Sequence, residues 1–211
     1  MKIDHVQPAD IEKRSFEIIT EILGDKILVR EQAPIIKRVI HTSADFDYAD
    51  SLHFSDQSIK LMIEAIKAGA DIVTDTQMAK AGINKSKLAN YGGTVHCFMS
   101  DDWVAAEAKA RNVTRASVCM EKACAIDNPI IIAIGNAPTA LIRLKELIDE
   151  RKIRPEGIIG VPVGFVNVVE SKDLIMASPV PCIVARGRKG GSNIAAAICN
   201  ALILMAENEQ A

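Results

Sequence analysis

Aromatic residues are scarce in this 211-residue chain, at 4% of the total, and that scarcity argues against a stacking platform for unpaired bases. Neither sign of charge dominates. The formal charge is −2 and no long run of one sign occurs, which argues against a protein that tracks phosphate backbones. No apolar run reaches membrane-spanning length, since Ile194 to Met205 is broken by Cys199 and Asn200. Met1 to Asp10 is polar and lacks the apolar stretch of a signal peptide. The cysteines, Cys97, Cys119, Cys124, Cys182 and Cys199, are odd in number, scattered and without a C-x-x-C pair. They read as reduced core thiols of a cytoplasmic protein, not as metal ligands. His5, His53 and His96 have no metal-ligand spacing with cysteine or with one another. The expectation is a cytoplasmic protein with no membrane and no nucleic-acid partner.

What the chain has is hydrophobic content, 49%, enough for a sizeable core in one domain over residues 1–211. No linker, repeat or low-complexity segment divides it. Helical spacing predicts a helix over 8–23, with Ile11, Phe16, Ile18, Ile19, Ile22 and Leu23 on its buried side and Gly24 as its stop. Arg14 and Ser15 lie on that helix, as surface residues or pointing into a site. A further helix carries Ile35, Ile36, Val39 and Ile40, and another carries Ile59, Met62, Ile63 and Ile66 behind a Ser55 or Asp56 cap. Buried strands follow: ADIVT at 70–74, TVHCF at 94–98, PIIIAI at 129–134, GIIGVPV at 157–163 and PCIVA at 181–185. The last three each lead through a loop into a helix. The fold class is therefore α/β, a mainly parallel sheet of about five strands flanked by helices.

Chemistry is suggested at two places. His41 falls where an amphipathic helix gives way to Thr42, Ser43, Asp45, Asp47 and Asp50, and imidazole exchanges protons near neutrality. The bland alternative is a helix-end histidine bonded to a carbonyl. The second place is the carboxyl ends of the last three strands, which carry Gly135, then Gly164, then Gly187, Gly190 and Gly191. Glycine lets backbone approach a ligand closely, and helix N-termini attract anions. Arg186, Arg188 and Lys189 add positive charge there, and Ser192 adds a hydroxyl. Together they suggest a cleft for a polyanionic ligand, although glycine also ends strands in any α/β fold. Known phosphate loops do not match: there is no G-x-x-x-x-G-K-[ST], and GNAPTA is not G-x-G-x-x-G. Glu170, Ser171 and Lys172 open a helix, and ordinary capping accounts for them as well as function does; His53 reads as a loop residue and His96 as a packed strand residue.

Six motifs in the same order make the chain similar to the precorrin-8X (cobalt-precorrin-8) methylmutase family of cobalamin biosynthesis. They are RSFEII at 14–19, RVIH at 38–41, ADIVTDTQMAKAGI at 70–83, GNAPTAL at 135–141, GVPVGFVNVVESK at 160–172 and RGRKGGS at 186–192. Departures are small: Thr42 stands where the family often has Cys or Ala, and Gln77 where it often has Glu. The resemblance implies an isomerase that moves a methyl group from ring carbon eleven to ring carbon twelve of a contracted tetrapyrrole. It implies no separate cofactor, any cobalt belonging to the substrate, and Thr42 tips the choice weakly towards the cobalt form. It implies that His41 gives and takes the proton, and that Ser15 and Arg38 contact the ligand. It also implies a homodimer with shared sites, to which Arg115 reaches over from the partner chain. The charged loops, through Gly164, Arg186, Arg188, Gly190 and Ser192, would then hold the tetrapyrrole's many carboxylates, with Met78, Val163 and Phe165 as apolar walls. The alternatives are a non-catalytic tetrapyrrole carrier, and an α/β enzyme acting on a nucleotide, which the missing phosphate loops disfavour.

Overall fold

The computed structural model describes residues 7–209, so His5 and the polar first six residues lie outside it. Six strands form one sheet in the order β1-β6-β5-β4-β2-β3. They are β1 (Leu52–Phe54), β2 (Asp71–Thr74), β3 (Val95–His96), β4 (Ile130–Ile134), β5 (Gly157–Gly160) and β6 (Cys182–Ala185). The pairs from β3 to β6 are parallel, and β1 is antiparallel on β6, with Leu52 opposite Ala185 and Phe54 opposite Ile183. The fold is thus the expected α/β domain with one strand more. The extra strand contains His53, so that residue is not in a loop. Three half-buried residues between polar neighbours are too short a run to show alternation.

Helices cover both faces. One face carries α1 (Ile11–Leu23), α2 (Ala33–Ser43), α4 (Ser58–Lys67), α5 (Gln77–Gly82) and the long α11 (Ser192–Asn208). The other carries α7 (Asp102–Arg111), α8 (Arg115–Ala123), α9 (Pro138–Asp149) and α10 (Val168–Met176). Two single-turn helices, α3 (Tyr48–Ser51) and α6 (Lys85–Ala89), complete the set. The central strands alternate between the two cores. Ile131, Ala133, Ile159 and Ile183 face the first layer, and Ile130, Ile132, Ile134, Ile158 and Val184 face the second. This explains their unbroken apolar runs, since strands covered on both faces need no polar side. No helix among the described residues is long and apolar enough to cross a membrane.

Two local expectations change. Ser55 does not cap α4: its amide and hydroxyl pair with the Cys182 carbonyl and amide at 3.0 and 2.8 Å, prolonging the β1–β6 pairing. Gln57, in the left-handed region at φ 54°, precedes the helix instead. On α1 only Ile19 is buried; Ile11, Ile18 and Ile22 are 53%, 38% and 60% exposed. The helix packs mainly on α2, so one narrow edge of its wide apolar stripe is covered while Ile11, Ile18 and Ile22 face outward.

Candidate active site

His41 lies in the last turn of α2, two residues before its end; the helix runs to Ser43 and stops at Ala44, whose φ of 55° is left-handed. Ile35, Ile36, Val39 and Ile40 anchor the buried side of α2, leaving His41 exposed. The ring of Phe16 on α1 stacks against His41 with centroids 5.5 Å apart and planes at 26°. The Arg38 guanidinium lies 5.5 Å from the centre of the same ring and pairs with Glu12 at 2.9 Å. Phe16 therefore spaces the two functional candidates of α2. Ser15 is half-buried beside Phe16, its hydroxyl donating to the Ile11 carbonyl at 2.8 Å. Arg14 is spent on Glu17 and Glu21, the surface alternative for that residue.

The loop after β6 is tied to this cluster. Lys189 donates to Asp45 and Asp47, just past His41, at 2.6 Å each. That contact holds the Asp45 carboxyl below, and the Lys189 ammonium above, their ordinary ranges. Lys189 is thus committed within the chain, while Arg188 is exposed and unpaired among the described residues. The Arg186 amide donates to the Ser51 carbonyl at 2.8 Å. Its guanidinium donates to Nδ1 of His53 at 3.1 Å, which makes that nitrogen the acceptor and the ring neutral. Burial and then the Arg186 charge both push the His53 pKa down, in agreement. Gly190 passes so close to β5 that a Cβ there would sit 2.1 Å from the Val161 carbonyl oxygen, so no side chain fits. The Gly164 amide donates to the Arg188 carbonyl at 3.2 Å. Ser192 opens α11, but its hydroxyl is 2.7 Å from that of Thr76, the N-cap of α5.

The glycine loop after β4 is not an open anion site. The amides of Gly135, Asn136 and Ala137 all donate to the buried Asp75 carboxylate, at 2.8, 2.9 and 2.7 Å. Burial raises the Asp75 pKa, and the three amides oppose that rise. The strand order reverses between β2 and β4, where α/β proteins ordinarily open a ligand crevice. Here the chain's own carboxylate fills it, so the free cations sit farther along the edge, after β6. The apolar side chains expected as walls are exposed at that edge: Met78 after β2, and Val163 and Phe165 after β5, with Val166 beside them. Arg115, in the first turn of α8, is exposed on the other helical layer. Among the described residues no hydrogen bond or ion pair joins it to His41.

Sequence reasoning missed Asp75 and placed Lys172 at a helix start, where capping would account for it, although it is buried in the middle of α10. Asp75 gave no signal, because an acid after a strand looks the same paired or free. Lys172 did give one. Val168, Ser171, Lys172 and Ile175 are the buried positions of α10, which is a helical core stripe with a lysine in it. Among the described residues no group of three or more His, Cys, Asp and Glu side chains is placed to hold a metal ion.

Taken together, the fold and site define an α/β protein that presents a helix-borne histidine, the exposed Arg186 and Arg188 and an apolar rim along one sheet edge. Exposed guanidinium groups beside apolar side chains suit a ligand that carries carboxylates. Residues 10–205 match the precorrin-8X methylmutase family, and the chain belongs to that family of isomerases of cobalamin biosynthesis. It is 45% identical over 203 residues to the cobalt-precorrin-8 methylmutase of Priestia megaterium, covering 96% of this chain and 90% of that one. It is 44% identical to the protein of the same name from Salmonella typhimurium, covering 93% and 95%. The crystal structure of precorrin-8x methyl mutase from Thermus thermophilus superposes with a TM-score of 0.86 at 36% identity, covering 96% of this chain and all of that one.

Proposed function

We propose that this chain moves a methyl group between adjacent ring carbons, eleven to twelve, of cobalt-precorrin-8, giving cobyrinic acid. The observation that carries the reading is the joining of two elements. Lys189 fastens the loop that bears Arg186 and Arg188 to the segment just past His41. A proton-transfer group and a carboxylate clamp are thereby held in one frame. His41, as imidazolium, protonates or hydrogen-bonds the macrocycle near the migrating methyl. Electron density leaves that carbon, the methyl shifts within the ring system, and the proton returns to His41. Nothing is gained or lost, so no oxidant or separate cofactor enters, and the cobalt is carried by the substrate. Phe16, packed flat on the imidazole, keeps the ring from turning away. Arg38, Arg186 and Arg188 take peripheral carboxylates, with Ser15, Gly164, Gly190 and Ser192 lining the approach. Met78, Val163 and Phe165 meet the apolar face of the macrocycle.

The cobalt form is favoured because relatives named for it reach 45% and 44% identity, against 36% for the solved protein named for precorrin-8x. The enzyme works in the cytoplasm as a homodimer. The outward Ile11, Ile18 and Ile22 of α1 suit a second copy of the chain, and Arg115 reaches the site from that copy.

The test is anaerobic absorption spectroscopy with cobalt-precorrin-8. A progressive change to the cobyrinic acid spectrum is expected, lost with His41→Ala while the substrate spectrum still shows binding. Wild-type turnover in that variant would remove His41 from the chemistry. A bound spectrum that never evolves, with cobalt-precorrin-8 or with metal-free precorrin-8X, would make the protein a carrier.

A further inference from the structure

Among the described residues Lys172 is the largest side chain with no solvent exposure. Among the described residues no carboxylate pairs with it. Burying an ammonium without a counter-charge is costly, and an apolar residue would fill the same position on α10 without that cost. Its partners are two backbone carbonyls of the β6–α11 loop, Gly187 at 2.7 Å and Lys189 at 2.8 Å. Both carbonyls are therefore drawn towards the interior. No peptide bond of the structure is cis. In a trans peptide the carbonyl of one residue and the N–H of the next point in opposite directions. Drawing in the carbonyls of Gly187 and Lys189 therefore turns the amides of Arg188 and Gly190 away from the interior. Neither amide has an acceptor among the described residues, and neither do those of Gly187 and Lys189, whereas at the ends of the loop Arg186 donates to Ser51 and Gly191 to Val161. Gly187 makes the turn possible at φ 76°, a conformation that side chains rarely adopt.

We infer that Lys172 is a positioning residue: it holds the Gly187 and Lys189 carbonyls inward so that the Arg188 and Gly190 amides face outward as a donor pair for one carboxylate of the tetrapyrrole. Backbone N–H groups turned outward from one loop are what an anion-binding concavity is made of, and the exposed Arg188 side chain adds charge beside them. The inference rests on the reading of this loop as the substrate clamp. It adds the backbone donors and the buried residue that aims them. A residue that only held the loop in place would affect stability; one that aims donors affects binding more than turnover.

The experiment follows backbone amide signals of the ¹⁵N-labelled full chain during titration with hydrogenobyrinic acid, the metal-free and diamagnetic counterpart of the cobyrinic acid product. In the wild type the Arg188 and Gly190 amides are expected to move downfield and to exchange more slowly with water. In Lys172→Met those two responses disappear and the dissociation constant rises about tenfold. In turnover assays of the same variant KM rises while kcat changes little. The inference is overturned if the wild-type chain binds the product while both amides stay unmoved, an arm that needs no variant to fold. It is also overturned if Lys172→Met binds with wild-type affinity. Failure of the wild type to bind any tetrapyrrole would instead overturn the functional reading, and this inference with it.

Discussion

At the scale of single residues, two buried charges do different work. Asp75 is an internal anion that fills the crevice where the strand order reverses and satisfies three amides at the start of α9. Asn at this position has one acceptor oxygen and would turn its own N–H groups towards a donor. Asp75→Asn is expected to lower the unfolding free energy by about 3 kcal/mol in urea titrations; an unchanged midpoint would mean that water serves those amides. Lys172 is an internal cation whose pKa burial pushes down to about 8 from an ordinary 10.5. Below about 8 the folded and unfolded chains both carry its proton, and the cost of burying the charge is present in full. Between about 8 and 10.5 the unfolded chain holds more of that proton than the folded one, so this group's contribution to stability rises with pH. The unfolding free energy of wild type minus that of Lys172→Met should therefore increase from pH 8 to pH 10. A flat difference would show that the ammonium is solvated. His41 was legible in the sequence because a helical stripe ended beside it. The use of Lys172 was not, because its partners are carbonyls fifteen and more residues away, and backbone groups leave no mark in a sequence.

At the scale of elements, the strand-loop-helix rhythm of the last third was plain because its strands are buried on both faces and its helices are long. Short pieces were lost: β1 has three residues and α6 has five, below the length at which periodicity shows. The stripe on α1 was read correctly as apolar and wrongly as buried, since amphipathicity tells that a face needs a partner and not which chain supplies it. The contact that matters most for the site joins two loops, with Lys189 bridging Asp45 and Asp47. All the groups involved are near solvent, and exposed ion pairs add little to stability. Lys189→Met should accordingly leave the urea midpoint nearly unchanged. It should raise KM about threefold with kcat retained, because the loop that carries Arg186 and Arg188 loses its tie to α2. A fall in kcat at unchanged KM, measured in the same assay, would show that the bridge acts on His41 instead.

At the scale of the whole molecule, one chain holds the histidine on one helical layer and Arg115 on the other. A partner copy is the simplest way to bring them together, and α1 leaves an apolar face on the histidine side for it. In a twofold dimer with shared sites each pocket takes His41 from one chain and Arg115 from the other. His41→Ala and Arg115→Ala homodimers would then each lack one group in both pockets. A mixed dimer would have one pocket with both groups missing and one pocket intact. If the two inactive proteins are unfolded together and refolded at equal concentration, half of the dimers are mixed and half of their pockets are whole. Methyl transfer should return to roughly a quarter of the wild-type rate per chain. If each site is built within a single chain, every pocket in the mixture keeps one defect and no activity returns. Ile22→Asp, which puts a charge on the exposed face of α1, provides the independent check. It should shift the protein to monomer by analytical ultracentrifugation, and the rate should fall with the dimer fraction, since a monomer holds His41 without the partner's arginine.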